Sequence, residues 1–255
     1  LPQKGKSTMP VDVHAGQPTA AQFYRNSRPS GLLTEQFNHR VAAWLSLSAH
    51  RLRWTPTTLT ACNLVLGVAT SVGVLLLAGP MAVGDVSAWL VGLTAWTLWQ
   101  LAYIADCADG QLARVTSTAS PAGGRLDILC DIAVQIALVA AIAAVTTAAR
   151  PGTPAWLVAV FSGSWMVNLV TSVMSKEGTN VSLVASEVVA VRLVKLVRDY
   201  SFMITLIAAV IAVRPAWMIW VMVLFTAINS GFLLASIAQA GRANLTATAK
   251  GTAPR

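Results

Sequence analysis

Long apolar blocks recur along most of this chain, broken by Gly, Pro or charged residues. A helix needs ~20 predominantly apolar residues to cross the hydrocarbon of a bilayer. Six such spans are predicted. The first runs from about Thr57 to Ala78, opening after Pro56, which suits a first helical turn, and closing at Gly79-Pro80. The second covers about Val86 to Leu112, the third Gly123 to Ala148, and the fourth Pro154 to Ser175, after the break at Arg150-Pro151-Gly152. The fifth runs from about Glu187 to Val213 with a polar first half, and the sixth follows Arg214-Pro215 to about Ala240.

Ahead of the first span the pattern changes. Leu33, Phe37, Val41, Trp44, Leu45 and Leu52 recur at helical spacing, while His39, Arg40 and Arg51 occupy other faces. This predicts an amphipathic helix lying in the membrane interface, with Thr34 as its N-cap. A helix turned into a protein core is the alternative. The first 30 residues, rich in Gly, Pro, Ser, Thr and Gln without an apolar period, read as a flexible arm. They hold no compact apolar region of the secretory-signal kind. The expected organisation is therefore an arm over 1–30, a juxtamembrane amphipathic helix over 31–54, a six-helix membrane domain over 55–241 and a flexible tail over 242–255. The fold class is an all-α polytopic membrane protein.

Composition agrees. The chain is 55% hydrophobic and only 11% charged, against about 25% charged in a soluble domain. The net charge of +8 is informative through its placement. With the N-terminus inside, 16 of the 18 Lys and Arg lie on the inner side, and only Arg150 and Arg214 fall in outer loops. That is the positive-inside distribution, with both termini cytoplasmic. It speaks for membrane lipids rather than nucleic acid as the partner of the basic residues. Cys62, Cys107 and Cys130 lie in or beside spans with no disulfide or zinc spacing, and His14, His39 and His50 make no ligand pattern. Trp54, Trp89, Trp156 and Trp217 fall near span ends and suit an interface belt; Trp96, Trp99 and Trp165 lie deeper and read as packing. Asn63, Asn168 and Asn229 are expected to hydrogen-bond between helices, and Asn63 has the further option of facing a substrate.

Four of the ten acidic residues fall within one window of 26. Asp106 and Asp109 are three apart near the inner end of span two; Asp127 and Asp131 are four apart near the inner start of span three. Either spacing puts the pair on one helical face, and the short connection makes the two helices antiparallel neighbours, so the four carboxylates can converge. At membrane depth such a cluster must be protonated or bind cations. Hard oxygen donors suit Mg2+ or Mn2+, and two ions would clamp a pyrophosphate. Gly110 and Gly123 leave room for a close approach, and Arg114 offers a fork for phosphate oxygens.

The run from Asp106 to Asp131 resembles the signature of the CDP-alcohol phosphotransferase family, D-x2-D-G-x2-A-R-x8-G-x3-D-x3-D, and matches all eight fixed positions. At roughly 5% usage per residue type, a chance match in a chain of this length is below about one in a million. The resemblance implies that Asp106, Asp109 and Asp127 bind a pair of divalent ions, Mg2+ or Mn2+, with Asp131 also close to the metal. It implies that Asp131 is the general base. It further implies that Asp109, Gly110, Ala113, Arg114 and Gly123 bind a CDP-linked donor, most suitably CDP-diacylglycerol, and that a polar alcohol attacks its β-phosphorus and releases CMP. Homodimers are common in the family. Carboxylate spacing by itself supports metal and phosphate; cytidine comes from the resemblance alone.

A second constellation, Arg192, Lys195 and Arg198, recurs at steps of three on span five. It reads as an anion pocket for a phosphorylated acceptor, or as side chains snorkelling to headgroups with Asp199 pairing Arg198. Two rival functions remain at this level. A cation transporter would also use intramembrane carboxylates, but Arg114 beside its path would oppose it. A polyprenyl transferase would carry two DDxxD-like clusters, and the sequence has none.

Overall fold

The computed structural model describes residues 17–31, 33–177 and 199–251, and their regular secondary structure is entirely helical. In chain order the helices are α1 (Ala20–Arg25), α2 (His39–Arg51, entered through a π-type turn at Thr34–Asn38), α3 (Pro56–Val83), α4 (Ala88–Val115), α5 (Pro121–Ala149), α6 (Ala155–Glu177), α7 (Tyr200–Val213) and α8 (Met218–Gly251, entered through a 3-10 turn at Pro215–Trp217).

Local chemistry sets the boundaries. Thr55 caps α3 by accepting from the Thr58 N–H, with Pro56 in the first turn. Ser120 does the same for α5 by accepting from the Gly123 N–H, followed by Pro121. Gly84, at φ 88°, ends α3 in the left-handed conformation that glycine tolerates. Pro80 does not end that helix, contrary to the sequence expectation. A proline forfeits one helical hydrogen bond, and an apolar surround favours keeping the remaining backbone groups paired. The helix continues to Val83, where the Asp85 N–H returns to the Pro80 carbonyl.

Four helical stretches among the described residues are long and apolar enough to cross a membrane: Pro56–Val83, Ala88–Val115, Pro121–Ala149 and Pro215–Ala235. Two further apolar stretches, Ala155–Val167 and Tyr200–Val213, are shorter. The expected fifth span does not run unbroken through Asp199. That residue is extended and caps α7, its carboxylate accepting from the Ser201 and Phe202 N–H groups. The polar first half of that span, with Arg192, Lys195 and Arg198, lies outside the described residues.

α3 packs against both α4 and α5, α4 against α7, and α6 against α8. Glycines bring backbones together at two crossings. A Cβ on Gly67 would meet the Val134 methyls at 2.7 and 2.9 Å, and one on Gly92 would meet the backbone of Ala208 and Ala212. The main core joins Trp99, Leu138, Ile142, Phe161, Ile204 and Phe225 from five helices. Outward faces carry Val65, Leu76, Leu129 and Trp156, each 63–67% exposed. Large apolar residues pointing out of a packed bundle suit a hydrocarbon surround. Trp54, Trp89, Trp156 and Trp217 are exposed and Trp99 and Trp165 buried; Trp99 donates to Ser71 and Trp165 to Gln135.

The juxtamembrane region holds two departures from expectation. Thr34 is no N-cap: it is fully buried, and its hydroxyl and N–H both donate to Asp199. Within the stretch read as an arm, Ala20–Arg25 is helical and its Phe23 is fully buried against α2, α3 and α4. A single anchoring residue leaves no apolar period to read. On α2, Ala42, Ala43, Ser46 and Leu47 face inward, while Phe37, Val41 and Trp44 form an exposed ridge. The helix thus turns one face to the core and the other outward.

His39, at the start of α2, titrates below its ordinary value of 6.5. Burial dominates; Glu35 opposes it, Arg114 reinforces it and Asp199 opposes it. With the folded pKa depressed, the unfolded chain takes up the proton first as pH falls below about 6.5. The stabilisation is therefore present above that pH and lost as pH falls through the folded pKa. The gap in melting temperature between wild type and His39→Gln should accordingly be widest at pH 7.5 and shrink by pH 5.5. A constant gap over that range would count against a buried neutral imidazole.

Candidate active site

α3 packs against both α4 and α5, and the carboxylates near the end of α4 and the start of α5 converge beside its first turns. Asp106, Asp109 and Asp127 each offer a carboxylate oxygen there, and the three oxygens lie within 4.8 Å of one another. Asp131, one turn along α5 from Asp127, joins the same cluster through Asn63, which binds both it and Asp106. α3 supplies the orienting groups. Thr60 donates to Asp109 Oδ2 at 2.5 Å, and Asn63 donates to both Asp106 Oδ1 at 3.2 Å and Asp131 Oδ1 at 3.4 Å. Thr60 and Asn63, three apart on one helical face, thus hold carboxylates from two other helices.

This donor set fits a hard divalent cation. Opposite oxygens around a six-coordinate Mg2+ stand ~4.2 Å apart, from a metal–oxygen distance of about 2.1 Å. Three oxygens within 4.8 Å of one another lie close to that spacing, so small side-chain rotations bring them onto one ion. Without a cation, adjacent carboxylates at this depth would repel.

Of the other motif residues, Gly110, Ala113 and Arg114 lie on α4 and Gly123 on α5. Gly110 lies under the Arg114 side chain: a Cβ there would meet Arg114 Nη1 at 2.9 Å. Arg114 Nε donates to the Asn26 backbone carbonyl at 2.5 Å. Ala113 is half-buried one residue before it. Gly123 is exposed and its N–H is taken by the Ser120 cap. Gln111, fully buried, donates to Ser27 Oγ and to the His39 carbonyl, while Ser46 donates to Gln111 Oε1. Tyr103 and Tyr200 pack edge to face at 4.9 Å.

A family model matches residues 53–228, well over half of the chain: CDP-alcohol phosphatidyltransferase. The chain belongs to the CDP-alcohol phosphatidyltransferase family. A comparison with curated proteins gave no match. Membership in a phosphatidyltransferase family, together with four long apolar helices, makes this an integral membrane transferase of phospholipid synthesis. It favours group transfer over cation transport as the use of the carboxylates. The family uses divalent metal, and three aspartates here are disposed to hold it.

Several contributors in this phosphatidyltransferase escaped the sequence reading. Thr60 carried a signal, a polar residue one turn before Asn63 in an apolar span. Gln111 and Ser46 carried none, because their partners come from distant segments. Asn63 bridges helices as expected, but Asn229 donates to the Phe225 carbonyl of its own helix. The side chain of Asn168 lies outside the described residues.

Proposed function

We propose that this enzyme transfers a phosphatidyl group from CDP-diacylglycerol to an alcohol and releases CMP. The acceptor oxygen attacks the β-phosphorus, the bond from that phosphorus to the bridging oxygen breaks, and CMP leaves with the bonding electrons. Asp131 takes the hydroxyl proton; it stands one turn beyond Asp127, and Asn63 orients it. Asp106, Asp109, Asp127 and Asp131 would hold two Mg2+ ions, with Mn2+ as a substitute. Bound divalent ions would neutralise the diphosphate and polarise its phosphoryl oxygens. Arg114 and the open backbone at Gly110, Ala113 and Gly123 bind the CDP portion. The observation that carries the reading is the convergence of the Asp106, Asp109 and Asp127 oxygens at one end of the bundle.

The lysine and arginine distribution supports a cytoplasmic site and cytoplasmic termini. The exposed ridge of Phe37, Val41 and Trp44 supports an interfacial α2. Acyl chains then stay in the bilayer while the nucleotide reaches the carboxylates. Arg192, Lys195 and Arg198 remain the proposed anchor for an acceptor that carries its own phosphate, on their spacing alone.

The test is CMP release by the purified protein from CDP-diacylglycerol with Mg2+, screened over phosphorylated and uncharged alcohols, with the lipid product identified by mass. Metal removal with excess EDTA should abolish release, and added Mg2+ or Mn2+ should restore it. Full turnover in EDTA would sink the metal-dependent reading.

A further inference from the structure

The segment ahead of the membrane domain reaches into the motif. Phe23 has no exposed surface and shares a cluster with Leu59, Ile104, Ala108 and Leu112, which seats α1 against α4. The next turn of chain then makes two polar contacts with the motif stretch of α4. The Asn26 carbonyl accepts from Arg114 Nε at 2.5 Å, and Ser27 Oγ accepts from Gln111 Nε2 at 2.9 Å. Arg28 follows directly, two residues beyond the Asn26 carbonyl that holds Arg114, and its side chain is exposed. With Nε occupied, the guanidinium of Arg114 lies against Gly110 and keeps its terminal N–H donors for another acceptor. Two guanidiniums carried at this junction repel, and an anion between them relieves the repulsion. All of these N-terminal residues precede the stretch matched by the family, residues 53–228.

We propose that Phe23–Arg28 completes the substrate site: α1 positions Arg114 through the Asn26 carbonyl and sets Arg28 beside it, so that the two cations together bind a phosphate group. The identity of the ligand rests on the proposed transfer function; the phosphate chemistry does not. That phosphate belongs either to the donor or to a phosphorylated acceptor.

The experiment uses the full chain in detergent with Mg2+, CDP and inorganic phosphate as separate probes, and calorimetry. Arg28 is exposed, so Arg28→Ala should keep the wild-type melting temperature. If the site takes the donor's phosphate, Arg28→Ala raises the CDP Kd by about tenfold, the scale of one charge-assisted hydrogen bond. If it takes the acceptor's, CDP affinity holds while phosphate binding weakens by a similar factor. Phe23→Ser should reproduce the defect and Phe23→Leu should restore binding. In an Arg114→Ala background, Phe23→Ser should add nothing, because the helix acts through that side chain. Unchanged binding of both probes in Arg28→Ala overturns the proposal even if Phe23→Ser fails to fold. A wild type that binds both probes but transfers nothing would instead overturn the transfer reading.

Discussion

Asp131→Asn should lower turnover by about a hundredfold or more, the usual scale for a lost general base, while the donor's affinity stays within a few-fold. The amide keeps the size of the side chain but cannot accept the hydroxyl proton. Asp131 can be separated from the other carboxylates because it lies outside the trio whose oxygens converge within 4.8 Å. Asp109→Asn should behave differently. Asp109 belongs to that trio and accepts the short Thr60 bond, so metal affinity and donor affinity should fall together with the rate. The measurement is kcat and donor KM for both variants across a Mg2+ titration. An intact rate in Asp131→Asn would mean that another group takes the proton.

Gly92→Ala should cost more than one methyl group normally does. The added Cβ would stand 2.6 Å from the Ala212 nitrogen and 2.7 Å from the Ala208 carbonyl oxygen, both on the backbone of α7. Side chains can change rotamer; a helix backbone has to move as a body. The expected loss is at or above about 3 kcal/mol, the upper end for overpacking a core. It should also reach the site, since α7 carries Asp199 and Tyr200 at its start. Gly73→Ala on α3 is the control, because its Cβ would meet nothing within 4 Å and alanine favours helix. Thermal unfolding in detergent distinguishes them. Equal melting temperatures for the two variants would show that α4 and α7 are free to separate.

The contrast between these two residues mirrors what could be read in one dimension. Asp106, Asp109, Asp127 and Asp131 were legible because helical periodicity alone places each pair on one face and a short loop returns the chain to the same end of the bundle, although α4 and α5 pack on α3 rather than on each other. Span positions were legible for a similar reason: the bilayer demands long apolar runs, and Pro56 suits a first helical turn; the end at Gly84 was not, because Gly79-Pro80 offered an earlier break. Asp199 was read only beside Arg198, which lies outside the described residues. Its carboxylate caps α7 and binds Thr34, which is 165 positions away in sequence. Phe23 gave no periodic signal, yet it seats α1, and Gly92 looked like any glycine in a span until α7 crossed it. Periodicity and local capping act over a few residues, so the sequence by itself determined the long apolar helices and the acidic cluster. Which helix faces which, and which distant backbone or side-chain group satisfies a buried polar atom, depends on contacts between remote segments, and only the tertiary structure decided them.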